Sequence, residues 1–96
     1  MPEAPIHDLA AAIHRTHNCA ARYVQAVAVH EQRGASVWRG TVHIFRVEHA
    51  QATHAYAWSV VDQKTQRHRF LAILGVLPIK SAVDAVRSAM ASGELT

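Results

Sequence analysis

The feature that most constrains this chain is a long stretch of period-two alternation, Ala21 to Leu77, flanked by one helical stripe on each side. Alternation of this kind places successive side chains on opposite faces of a sheet. In strand 1, Ala21 to Gln32, the pattern puts Tyr23, Val27 and Val29 on one side and Val24, Ala26, Ala28 and His30 on the other. Arg33-Gly34-Ala35-Ser36 reads as a turn, because glycine supplies a positive φ at little cost. Val37 to His49 is rich in β-branched and aromatic residues and forms strand 2, with Gly40 marking a bulge or a close approach. His54 to Val61 is strand 3, with Tyr56, Trp58 and Val60 on one face and Ala55, Ala57 and Ser59 on the other. The polar run Asp62 to Gln66 turns the chain into strand 4, His68 to Leu77, which ends at Pro78. Strand 4 is apolar on both sides, so it is expected to be central or covered twice.

The flanking stripes are helical. Ile6, Leu9, Ala10, Ile13 and His17 recur at i, i+3, i+4, i+7 and i+11, predicting a helix over 6–17. Pro5 suits its first turn, Asp8 faces the positive end of the dipole, and Asn18 suits a left-handed exit. Ser81-x-x-Asp84 is a capping-box-like start, followed by Ala82, Val83, Val86, Ala89 and Met90 on one stripe and by Gly93 as a stop. This predicts a second helix over 82–92. The expected fold is one α+β domain over 1–96, with 1–5 and 93–96 frayed. It has an antiparallel meander of four strands (three is the alternative), ordered α-β-β-β-β-α, with both helices packed on one face.

Two short helices cover one sheet face, and the face with small side chains admits them most closely. That leaves Tyr23, Val27, Val29, Tyr56, Trp58 and Val60 as a contiguous apolar and aromatic surface, larger than a soluble monomer usually exposes. Three outcomes compete. The sheet coils enough to hide the patch, a second copy of the chain covers it through sheet faces or edge strands, or it binds a flat ligand. In the last case Tyr56 and Trp58 stack on bases while Arg22, Arg46, Arg67 and Arg69 hold phosphates.

Charge favours no strongly electrostatic partner. Ten Lys and Arg oppose seven Asp and Glu, a net charge of +3 with neutral histidines. The densest basic group, Lys64-x-x-Arg67-His68-Arg69, sits where a solvated hairpin turn is expected. The eight histidines are scattered, and the sharpest local set is His14-x-x-His17-x-Cys19. Two imidazoles on adjacent helical turns and a following thiolate are a weak candidate for a transition-metal site. His17 within the apolar stripe and a single cysteine before a buried strand fit simple packing as well. Eight imidazoles could add up to eight charges between roughly pH 7.5 and 5.5, so association should depend on pH. No HExxH, CxxC or GxSxG occurs, the four glycines are scattered, and the acids stand mostly at element ends. Catalysis and cofactors are therefore not expected.

The helix–sheet–helix order resembles the double-stranded RNA-binding domain across most of the chain, as element order. That family carries a lysine cluster at the start of its last helix to clamp phosphates. Here the corresponding stretch is Ile79-Lys80-Ser81-Ala82-Val83-Asp84, one lysine followed by an acid. The resemblance thus implies the outline of the fold without its RNA-binding lysines. The string Val37-Trp38-Arg39-Gly40-Thr41-Val42-His43-Ile44-Phe45, with Ala55-Tyr56-Ala57-Trp58, Pro78 and Ala85-Val86-Arg87, is similar to small uncharacterised bacterial proteins. That resemblance implies no activity.

High alanine and low lysine fit a bacterial source. No export signal or membrane-length apolar run is visible, and the lone cysteine fits a reducing cytoplasm. The expectation is a cytoplasmic, non-enzymatic interaction domain that forms a homodimer. Nucleic-acid binding is the alternative and metal binding at His14, His17 and Cys19 the third reading.

Overall fold

The computed structural model describes residues 6–61 and 64–93. Helix α1 spans Ile6–His17, strands β1 Ala21–Arg33, β2 Ser36–Val47, β3 His54–Val61 and β4 His68–Leu74, and helix α2 Ala82–Ala91. The four strands form one antiparallel sheet in the order β1-β2-β3-β4. The α+β fold in the order α-β-β-β-β-α is thus the one the periodicities predict. Expected fraying at 1–5 and 94–96, and the roles of Pro5 and Asp62, lie outside the described residues. Among the described residues, no helix is long and apolar enough to cross a membrane.

The punctuation follows local chemistry. Asn18 takes φ 54° and donates its N–H to the His14 carbonyl, ending α1. Gly34 turns β1 into β2 at φ 59°. Ser81 caps α2, its Oγ accepting from the Asp84 N–H at 3.2 Å, while the Asp84 carboxylate accepts from the Lys80 N–H at 3.0 Å. Strand β4 stops at Leu74, three residues short of the expected Leu77. The Gly75 N–H still bonds the His54 carbonyl, and the chain then turns, with Ile79 N–H donating to Val76 O.

One expectation is corrected: the helices lie on opposite faces of the sheet. Leu9 and Ile13 of α1 pack with Phe45, Val47, Ala55 and Ala57, joined by Phe70, Ala72 and Leu74. Ala82, Ala85, Val86 and Ala89 of α2 pack with Val42, Tyr56, Trp58 and Leu71 on the other side. The physical reason is volume matching. Large α1 side chains meet alanines of β3 and β4, and the alanine stripe of α2 comes down on the aromatic face. Each pairing sets larger side chains of one layer against small ones of the other. Strand β4, though an edge strand, is therefore apolar on both sides because it contributes to both cores.

The second correction concerns β1. Tyr23 pairs with Phe45 and Gln25 with Ile44, so Val24 is an extra residue in the ladder. A bulge of this kind reverses the facing of everything beyond it. Tyr23 consequently lies on the α1 side, against Phe45 and His43, with ring centroids 5.5 and 5.9 Å apart. Val27 and Val29 lie on the α2 side. Gly40 marks no bulge. It lies under the Trp38 ring instead.

Candidate functional site

The aromatic surface expected from the strand pattern is interior. Trp58 has no exposed area, Val29 and Tyr56 are buried, and Val27 and Val60 pack at the edge of the same cluster. Trp38 closes over it, its ring centroid 5.7 Å from that of Trp58. Tyr23 is separated from this group by the sheet. Tyr56 and Trp58 are thus closed to base stacking, and α2 supplies the cover that a second chain was expected to give. The sequence signal that the strand pattern missed is the row of alanines at 82, 85 and 89, which lets α2 come close to the aromatic face.

What stays open is the edge of β1. Only Val29 of its thirteen residues is buried, and among the described residues no strand pairs with its outer side. The strand contains neither Lys nor Pro, and Tyr23 to Val29 is uncharged. The other edge, β4, is seven residues long and opens on His68 and Arg69. Its Ala72 carbonyl lies 2.7 Å from His17 Nε2. A carbonyl only accepts, so the His17 ring donates there. The histidine in the α1 stripe is therefore a polar tie from helix to edge strand.

The proposed metal ligands do not converge. His14 is exposed, His17 is engaged with Ala72, and Cys19 is buried in the α1 core. Among the described residues, no group of three His, Cys, Asp or Glu side chains is placed to hold a metal ion. His43 was not singled out by sequence, yet among the described residues it is the one buried polar residue of the core. Its Nδ1 has no hydrogen-bond partner among the described residues, and burial pushes its pKa below the ordinary value.

The four arginines fall into two groups. Arg22 and Arg46 stand directly opposite each other across β1 and β2, and Arg46 in turn pairs with His54 on β3. Arg69 pairs with Val60, six residues along β3 from His54. At ~3.3 Å per residue that is roughly 20 Å away. Arg67 and Arg69 thus belong to the far end of the sheet. His54 of the Arg22–Arg46–His54 row lines a groove of about 470 Å³ between β1, the sheet and the start of α2, with Ile44, Tyr56 and Lys80 also among its walls, while Arg22 and Arg46 line a separate depression with Glu48. Burial, and secondarily the nearby Asp84 carboxylate, raises the pKa of the Tyr56 phenol. Arg87 of α2 meets Glu31 of β1 at 3.1 Å, and that hydrogen bond raises the guanidinium pKa.

Compared with known proteins, the chain matches no family model, no curated protein and no solved structure.

Proposed function

We propose that this chain is a non-catalytic interaction domain that self-associates through the outer edge of β1. The observation that supports it is the difference between the two edges. The edge of β4 is short, basic and tied by His17. The edge of β1 is long, uncharged through its middle and open. Proteins that remain monomeric commonly blunt such an edge with lysine, proline or a bulge. Here the bulge at Val24 disturbs one end, and the ladder is regular from Gln25 to Arg33. Antiparallel pairing of two copies about a two-fold axis satisfies both edges at once and joins the two sheets into one.

Sedimentation equilibrium tests this. The wild-type chain should be a dimer at micromolar concentration. Ala26→Lys combined with Ala28→Lys places two charges on exposed β1 positions and should give a monomer with an unchanged circular dichroism spectrum. A wild-type monomer up to hundreds of micromolar would refute the proposal, as would a lysine variant that stays dimeric.

A further inference from the structure

We infer that the groove between β1 and the start of α2 binds a small organic anion, with an apolar body in the groove and its charged head on the Arg46–His54–Lys80 rim. Like charges directly opposite on neighbouring strands are destabilising. Arg22 and Arg46 nevertheless face each other, and among the described residues neither has an ion-pair partner. His54 continues the row on the same face, since Arg46 is its register partner. Thr53 Oγ1 lies 2.9 Å from His54 Nδ1, leaving Nε2 as the ring nitrogen for a ligand. Lys80 stands across the groove, and its side chain has no acidic partner among the described residues. Two carboxylates lie nearby. Asp84 is occupied as acceptor for the Lys80 N–H, and Glu48 shares a shallow depression with Arg22 and Arg46. Lys80 and the His54 imidazole thus line the groove, Arg46 adjoins them as the register partner of His54, and the nearer acid, Asp84, is already committed.

The floor explains the rest of the ligand. Val27, Ile44, Tyr56 and Val83 line it, so a bare inorganic anion would leave apolar surface uncovered. The volume of about 470 Å³ falls within the usual range for small-molecule sites. The positive end of the α2 dipole lies on the same side and adds to the preference for an anion. The groove opens beside α2 but reaches the edge of β1, where Val24, Gln25 and Ala28 line it, so a ligand and a second copy of the chain would meet on the same strand. The titration is therefore read on the Ala26→Lys, Ala28→Lys monomer as well as on the wild type, which separates failure of the groove from failure of self-association.

Amide shift titration of the full chain tests it with four probes: octyl phosphate, 1-octanol, inorganic phosphate and a ten-nucleotide oligothymidine. Octyl phosphate below its micelle concentration should give saturable shifts confined to residues 24–29, 44–46, 54–56 and 80–83. Octanol and inorganic phosphate should each bind at least about tenfold more weakly. The variant Arg46→Gln with Lys80→Gln, both at exposed positions, should keep the native spectrum and weaken octyl phosphate by about tenfold or more. Absence of saturable shifts overturns the inference, as does octanol binding equally well, or inorganic phosphate doing so, or a variant that binds unchanged. Tighter binding of the oligonucleotide than of octyl phosphate would replace it with a nucleic-acid surface.

Discussion

The Trp38 indole lies over Gly40, two residues along the same strand, so closely that a Cβ at Gly40 would stand 2.9 Å from two ring carbons. Trp38 in turn tilts against the buried Trp58, at an interplanar angle of 56°. The absent side chain at position 40 is what lets one tryptophan close the core over the other.

Gly40→Ala should therefore destabilise the fold by displacing Trp38, within the ~1–3 kcal/mol typical of overpacking. Gly75→Ala should cost more. Its Cβ would meet the His54 carbonyl oxygen at 2.9 Å, and that main-chain atom cannot swing aside as an indole can. Urea unfolding of the two variants checks the order. Equal or reversed costs would show that Trp38 is more tightly held than its partial exposure implies.

The two cores make both helices necessary. Leu9 is fully buried against the alanines of β3 and β4, so Leu9→Ala should cost about 2–5 kcal/mol. Because the sheet is shared, the α2 side should melt with it in a single transition. Tryptophan fluorescence reports the α2 core, and far-ultraviolet circular dichroism reports the whole. Two separated transitions would show that the layers unfold independently.

His43 gives the fold a dependence on acid. Burial lowers its pKa, so below pH 6.5 the unfolded chain binds more protons than the folded one. The stabilisation is fully present above pH 6.5 and is lost as pH falls through the lowered folded value. His43→Leu should flatten the fall in stability between pH 7 and 5. Slopes identical to the wild type would refute a role for His43 in the acid sensitivity.

Tyr56 acts at the alkaline end. Its pKa is raised by burial and by Asp84, so its contribution is present below pH 10 and is lost as pH rises through the raised folded value. In a Tyr23→Phe background, absorbance near 295 nm follows the Tyr56 phenol alone. Asp84→Asn should shift that titration downward while keeping an acceptor for the Lys80 N–H. An unchanged titration would leave burial as the whole cause.

Much of the fold was legible because its signals are local. The alternation in Tyr56-Ala57-Trp58, the Ser81–Asp84 cap and the Asn18 exit each depend on a few neighbouring residues. The candidate surface was not legible to the same degree. A bulge at a valine has no sequence signature, and Val24 alone moved Tyr23 to the opposite face from Val27. The Arg22–Arg46–His54 row exists only through strand register, which joins residues far apart in the chain.

The sequence by itself determined the six elements, their order and the shared face of Tyr56, Trp58 and Val60, because backbone geometry converts periodicity directly into side-chain direction wherever no bulge intervenes. Only the tertiary structure decided which helix covers which face. That choice depends on matching volumes across a gap, large α1 side chains on small strand residues and small α2 side chains on aromatic ones. It turned the expected binding surface into core and left the edge of β1 and the groove beside it as the open features of the molecule.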